Sequence, residues 1–302
     1  MVAGTVKYEG KKRVLILGSS GQVGAYLSEY LKKKDYDVRE FDIVNGEHQD
    51  MRTIPSPELH RNISCADFIF FLAFDVGGSH YLKKYQHTFK FLDNNARMMV
   101  NAFEYIQKYK KPFVFASSQM SNMSYSPYGV LKRVGELYTK ALNGLTVKFW
   151  NVYGIEHDEE KSHVITDFIR KSFESIENSL NGSCAVVEML TDGMEERQFL
   201  YAEDCCEALE TVMDKYDEFG REDPLHITSF KYSTVSEVAS IITQLFMDNG
   251  QLVTFVAADS KDEVQKDKRN EADPYICQWW KPKTDLKDGI MKVYRDMKES
   301  RA

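Results

Sequence analysis

The sequence has no long apolar run. Its longest, Phe68–Phe74, falls far short of the ~20 residues that cross a bilayer, so no membrane partner is expected. Met1–Lys11 lacks the apolar core of a secretory signal, which makes the cytoplasm the expected location. There is no basic tract either. Acidic residues outnumber Lys and Arg by 46 to 39, for a net charge of −7, which argues against a nucleic-acid partner. The five cysteines are odd in number and show no C-x-x-C spacing, so neither a disulfide framework nor a zinc site is predicted, and no metal is expected. Repeats, low-complexity tracts and proline-rich linkers are missing too. A chain of 302 residues is long enough for two lobes. Without a linker, a second lobe has to be built from segments interleaved with the first.

What is present begins just after the N-terminus. Lys12 and Arg13 lead into Val14-Leu15-Ile16-Leu17, an apolar run suited to a strand buried on both faces. Gly18, Gly21 and Gly24 follow, with Val23, Ala25, Leu27 and Leu31 at roughly helical spacing. Strand, glycine turn and helix together present bare backbone N–H groups and a helix N-terminus to a pyrophosphate. Gly18 permits the turn, Gly21 lets phosphates approach, and Gly24 lets helix and strand pack closely. Ser20, Gln22 and Val23 complete the expected phosphate loop. The spacing is G-x-x-G-x-x-G, and a plain strand-turn-helix would share it.

The helix should end near Lys32–Lys34, where cations suit its C-terminal dipole. Tyr36–Phe41 alternates like a second strand and closes on Asp42. A carboxylate there can take both ribose hydroxyls of an adenosine and repel a 2′-phosphate, which points to NAD rather than NADP. An ordinary turn aspartate is the alternative. Asp67–Ala73 and Lys111–Ala116 read as further buried strands, and Asn94–Lys108 carries a core-facing helical stripe between them. Such alternation predicts an α/β fold with a parallel, doubly wound Rossmann sheet.

A second cluster lies at Ser126-Pro127-Tyr128-Gly129-Val130-Leu131-Lys132. Serine at an N-cap and proline after it start a helix, placing Tyr128 in the first turn and Lys132 one turn on, on the same face. A phenol with pKa ~10 is a poor base at neutral pH. A nearby ammonium, a nicotinamide cation and a helix N-terminus are expected to lower it, and Lys132 can also reach ribose hydroxyls. Tyr-x-x-x-Lys is also common on solvated helix faces. Ser117-Ser118, at the end of an apolar strand ten residues upstream, sets this pair apart.

With these residues in view, the chain from Val14 to about Ile290 resembles the extended short-chain dehydrogenase/reductases, the nucleotide-sugar epimerase/dehydratase family. The resemblance covers the glycine loop, Asp42, Asp50-Met51 after a third strand segment, Leu72-Ala73, Asn94-Asn95, Ser118, and Tyr128 with Lys132. It continues through Asn151-Val152-Tyr153-Gly154, Glu196–Leu200 with Glu203-Asp204, and Trp280–Thr284. It implies a nucleotide-diphosphate sugar as substrate, with Ser118 holding the sugar oxygen and Tyr128 moving its proton. Asp50 and Met51 would flank adenine, Leu72 and Ala73 would line the cofactor, and Asn94 would support the site. Asn151 and Arg197 would face the diphosphate, where a guanidinium forks onto phosphate oxygens. A surface ion pair with Glu195 or Glu196 is the other reading of Arg197.

Departures from the family pattern narrow the chemistry. Its 4,6-dehydratases carry Asp-Glu after the active-site hydroxyl, whereas Gln119-Met120 stands here and cannot do that acid–base work. Its GDP-fucose synthases carry a cysteine two residues after the serine, the place of Met120. Ser162-His163-Val164-Ile165 resembles the segment supplying their histidine acid, so His163 either lies over the sugar or is an idle loop residue. The short Ser118–Tyr128 loop leaves part of the pocket open, or completed by Tyr125 or another subunit. The resemblance also suggests a homodimer.

Three functions survive. The first is an epimerase that transiently oxidises a sugar hydroxyl, the second a reductase or dehydrogenase with net hydride transfer, and the third a cofactor-binding regulator without turnover. Ser118, Tyr128 and Lys132 weigh against the third, and Asp42 tilts the choice to the first. The expected lobes are 1–154 with 200–230 for NAD, and 155–199 with 231–302, a smaller discontinuous α/β lobe, for the nucleotide sugar.

Overall fold

A computed structural model describes residues 10–179, 184–261, 264–265 and 270–301; residues 1–9, on which the signal-sequence reading largely rests, lie outside them. The strands are β1 (Arg13–Leu17), β2 (Asp37–Phe41), β3 (Phe68–Phe71), β4 (Phe113–Ser118), β5 (Leu145–Phe149), β6 (Asn151–Tyr153), β7 (Ala185–Glu188), β8 (Glu196–Arg197), β9 (Phe199–Tyr201), β10 (Leu225–Ile227), β11 (Ser233–Thr234) and β12 (Val253–Val256). The helices are α1 (Gln22–Lys33), α2 (Pro57–Cys65), α3 (Ser79–Tyr85), α4 (Phe89–Tyr109), α5 (Pro127–Ala141), α6 (Val164–Asn178), α7 (Ala202–Asp214), α8 (Val235–Asp248) and α9 (Leu286–Glu299).

Six strands form one parallel sheet in the order β10-β5-β4-β3-β1-β2. Its central strands are the continuous apolar runs. All four residues of β3 and all six of β4 are buried, while β2, with alternating charge, lies at an edge. Successive side chains serve opposite faces. Val14, Ile16, Phe68, Phe70 and Val114 pack with Leu27 and Leu31 of α1 and with Ala208, Leu209 and Val212 of α7. Leu15, Leu17, Ile69, Phe71 and Phe115 pack with Leu59 of α2 and with Met99, Ala102 and Phe103 of α4. Each fully buried aliphatic or aromatic side chain contributes ~1.5–3 kcal/mol, so these two layers dominate the stability of the sheet.

The strand order reverses at β1. Its successor β2 lies on one side and β3 on the other, which opens a crevice beyond their C-terminal ends. The third strand segment expected before Asp50 does not form. Two 3-10 turns, Ile43–Asn45 and Glu47–Gln49, fill that stretch, and Asp50-Met51 precede β3. The intervening Gly46 has φ +138°, and the polar residues around it offer no apolar face to a sheet.

A separate core gathers Ile165, Phe168 and Ile169 of α6, Ala185 and Val187 of β7, Val238 and Ile242 of α8, and Val293 and Tyr294 of α9. Parallel β7–β12 and antiparallel β8–β11 belong to this side. Ile276 and Trp280, late in the chain, are buried instead in the core against α7. Among the described residues no helix is long and apolar enough to cross a membrane.

Candidate active site

A cleft of about 1280 Å³ opens at the switch point and runs from the glycine loop to the start of α6. Gly18 follows β1 with φ +87°, and a Cβ there would lie 2.5 Å from the Ala73 nitrogen. A Cβ on Gly24 would sit 2.0 Å from the Gly18 oxygen, so α1 closes on the loop only because that side chain is missing. Gly21, by contrast, is exposed, and a Cβ there would meet only the Gly18 oxygen, at an ordinary 3.5 Å. It is also the N-cap of α1, with no side-chain cap and no acidic residue in the first turn. Unpaired N–H groups and the positive end of a 12-residue helix therefore meet the cleft. Ser19 Oγ and Gln22 Nε2 are buried beside them without a hydrogen-bond partner. Exposed donors and bare backbone fit a dinucleotide's pyrophosphate. Ser20, Val23, Leu72 and Ala73 line the same end.

Asp42, at the end of β2, is held firmly. Its carboxylate accepts from Ser20 N at 3.0 Å and Val44 N at 3.1 Å, and its own N–H donates to Gln49 Oε1 at 2.8 Å. It therefore caps a turn and lines the cleft at once. Asp50 and Met51 line the same region. Asp50 is forked onto Arg52, with Nη2 to Oδ2 at 2.8 Å, and this hydrogen bonding holds its carboxyl below the usual range against the effect of burial. Arg52 Nη1 also donates to Asn94 Oδ1 at 3.0 Å, and Asn94 Nδ2 donates to Asp75 Oδ2 at 3.0 Å.

Arg52 and Asp75 are cleft residues that the sequence reading missed. Asp75 stands two residues past Ala73, just beyond a strand's C-terminal end, and that position was the signal available.

The proton-transfer candidates meet at the wall. Ser118 is the last residue of β4. Ser126 Oγ accepts from Gly129 N at 3.2 Å and caps α5, with Pro127 in its first turn. Gly129 lets α5 start against the preceding turn, since a Cβ there would lie 2.1 Å from the Met120 oxygen. Ser118, Tyr128 and Lys132 are 7%, 8% and 4% exposed. Lys132 Nζ donates to the Ala116 carbonyl at 2.6 Å, and lies 3.8 Å from the Phe74 ring centre and 5.8 Å from that of Tyr128.

Burial works against the expected lowering of the tyrosine pKa. Burial pushes the Tyr128 phenol up to about 12, with a hydrogen bond from Ser118 pulling the other way. Burial likewise lowers Lys132 to about 7, opposed by the charge of Glu136. Both groups sit in surroundings that favour their neutral forms.

Further along, His163 N-caps α6 and lines the cleft. Its Nδ1 lies 2.6 Å from Glu156 Oε1, and its backbone N–H donates to Glu156 Oε2 at 2.7 Å. Gln119 is turned to other work. Its amide donates to Gln265 at 2.8 Å and accepts from Asn270 at 2.7 Å, while Met120 is buried in an apolar cluster. Tyr125 does not line the cleft, contrary to one expectation; its hydroxyl lies 3.3 Å from Met123 Sδ. Neither Asn151 nor Arg197 lines it. Asn151 Oδ1 is buried without a partner in β6, and Arg197 donates to the Glu196 carbonyl at 2.8 Å. Among the described residues no group of three or more His, Cys, Asp or Glu side chains is arranged to hold a metal.

Residues 14–227 match the model of the NAD dependent epimerase/dehydratase family. The chain belongs to this family. It is an enzyme, and its cofactor is a nicotinamide dinucleotide, NAD or NADP. A putative UDP-glucose 4-epimerase from Methanocaldococcus jannaschii is 24% identical, covering 95% of this chain and 99% of that protein. The fold is similar to that of the epimerase Mth375 from Methanothermobacter thermautotrophicus, with a TM-score of 0.79 at 21% identity over 97% of this chain and 94% of that one. It is also similar to a GDP-L-fucose synthetase from Naegleria fowleri bound to NADP, with a TM-score of 0.77 at 16% identity, covering 99% and 96%.

Proposed function

We propose that the protein is an NAD-dependent nucleotide-sugar epimerase that works by transient oxidation of a sugar hydroxyl. One observation carries this reading: Ser118 and Tyr128 share a buried wall of the cleft whose other end is the uncapped glycine loop. Tyr128 takes the proton of the sugar hydroxyl as the carbon loses hydride and gives it back on return. Ser118 holds the same oxygen and fixes the angle of approach. Lys132 reaches the ribose and orients the ring beside it. The bound dinucleotide supplies the hydride acceptor and donor. NAD is preferred because Asp42 lines the cleft beside the phosphate loop, where its charge opposes a 2′-phosphate.

Net reduction is the second reading, favoured by His163 in the cleft, which offers a proton source beyond Tyr128. In both, the substrate is a nucleotide-diphosphate sugar held between a cofactor lobe (1–154, 200–230) and a smaller lobe (155–199, 231–302), from which Ile276 and Trp280 pack back into the cofactor-side core. Asn151 and Arg197 are read as its diphosphate contacts on resemblance alone. We read the assembly as a cytoplasmic homodimer, with Leu92 and Val100 of α4 and Val130 and Leu137 of α5 as exposed apolar contacts.

The test is to denature purified protein, identify the released dinucleotide and its redox state, and incubate fresh protein with a panel of UDP- and GDP-sugars. Epimerisation with no net change in cofactor supports the first reading. Stoichiometric cofactor consumption replaces it with the second, and released NADP overturns the role given to Asp42.

A further inference from the structure

The loop 155–163 crosses from the cofactor side to α6 and brings a carboxylate and an imidazole into the cleft. Its position is set by the β3–α3 connection. Gly78 N donates to the Lys161 carbonyl at 2.9 Å, and a Cβ on Gly78 would lie 2.5 Å from the Ser162 oxygen. Lys161 Nζ reaches Asp75 Oδ1 at 3.3 Å, and Lys84 reaches Glu160 at 2.9 Å. Only a bare backbone at residue 78 lets the loop dock this closely.

Within that docked loop, Glu156 makes two bonds to a single residue. One oxygen meets His163 Nδ1 and the other meets its backbone N–H, so both the ring and the start of α6 are fixed. Its side chain is only 7% exposed. His163 Nε2 has no hydrogen-bond partner among the described residues, on a residue that lines the cleft.

We propose that Glu156 is a positioning residue that occupies Nδ1 of His163 and presents Nε2–H to the cleft as a hydrogen donor to the bound substrate. This rests on the nucleotide-sugar reading above. Burial disfavours charge on His163, but the charge and hydrogen bond of Glu156 outweigh it and raise the pKa above the ordinary histidine value. Of the other ionisable groups on and around this loop, His157 also lines the cleft, and Glu159 pairs with Arg170. Lys161 and Tyr81 bond to Asp75, Asp158 accepts from Glu160 N, and Asp167 on α6 pairs with Arg170 and Lys171. In the net-reduction reading, Nε2 gives its proton to the carbonyl oxygen whose carbon would take hydride from a reduced dinucleotide, so one C–H and one O–H bond form as C=O is reduced; the ring becomes neutral with Nδ1–H still shared with Glu156, and solvent returns the proton.

The experiment is a ¹⁵N titration of histidine-labelled protein, with His163 assigned by its loss in His163→Gln. In the wild type, His163 should titrate above an ordinary histidine and carry its proton on Nδ1 once neutral. Glu156→Gln should move the titration to lower pH, and Glu156→Asp should largely restore it. The pH profile of kcat/KM, measured with whichever panel sugar turns over, should lose activity as pH rises through that same value. Its limb should move down in Glu156→Gln, and His163→Gln should cost ~10²–10⁴-fold. A His163 titration unchanged in Glu156→Gln overturns the proposal, as does a limb that stays in place. The titration needs no substrate, so it decides the pairing even where Tyr128→Phe has overturned the catalytic reading.

Discussion

Two pairs of proton-handling groups face the same cleft, and their environments push them in opposite directions. Tyr128 and Lys132 are buried together, bonded to a serine hydroxyl and a backbone carbonyl, and both shift towards neutrality. Charge on His163 is also disfavoured by burial, yet a carboxylate at 2.6 Å reverses the sign and raises its pKa above the ordinary histidine value. Burial alone selects the uncharged form; burial with a bonded counter-charge selects the ion. The histidine pair carries its counter-charge within the chain.

The largest expected effect breaks the first pair. Tyr128→Phe keeps the ring packed against Phe74 and removes the hydroxyl. Dinucleotide binding and the fold should persist while single-turnover hydride transfer falls by ~10²–10⁴. Reduction of bound NAD at the wild-type rate would make Tyr128 structural.

Lys132→Met sharpens the contrast through pH. In the native protein this lysine titrates at about 7, well below its unfolded value near 10.5, so the unfolded chain holds the extra proton between those limits. The stability of the cofactor-free protein should therefore rise with pH across that window through Lys132, and Lys132→Met should flatten this part of the curve. Denaturant midpoints of the two proteins between pH 7 and 10 measure the difference; identical slopes would show that the lysine is not desolvated. The same change should weaken dinucleotide binding and slow hydride transfer. Combined with Tyr128→Phe it should cost less than the two losses added, because both act on one proton transfer.

A smaller effect belongs to the cofactor end. Asp42→Ala removes the acceptor for Ser20 N and Val44 N and the charge that opposes a 2′-phosphate. NAD should bind at least about tenfold more weakly and NADP discrimination should relax, by about 1.5–3 kcal/mol, the size of a hydrogen bond to a charged group. Calorimetric titration with both dinucleotides checks it, and a wild-type preference for NADP would contradict it.

The cofactor end was legible because its parts are local. Val14–Leu17, the three glycines and Asp42 are close in sequence, and each reports its own backbone requirement. Ser126-Pro127 likewise marks the start of α5 without reference to any other element. The 43–50 stretch misled because family pattern implied a strand that its glycine and polar residues do not support. The short Ser118–Tyr128 loop left open whether Tyr125, another subunit or nothing completes the pocket, and Tyr125 is not in its lining, because side-chain direction in a short loop is not written in its length.

By itself the sequence determined the alternation of buried strands and amphipathic helices, and hence the parallel sheet, the glycine turn after β1 and the placing of Tyr128 and Lys132 one turn apart on α5. These follow from periods of two and 3.6 residues and from caps that act within a few residues. Only the tertiary structure decided which charges meet. Arg52 joins Asp50 to Asn94, Asp75 meets Lys161 from across the cleft, and Glu156 folds back seven residues to His163. It also decided the direction of every pKa shift in the site. Desolvation and Coulomb attraction depend on distances through space, and residue spacing along a chain does not encode them.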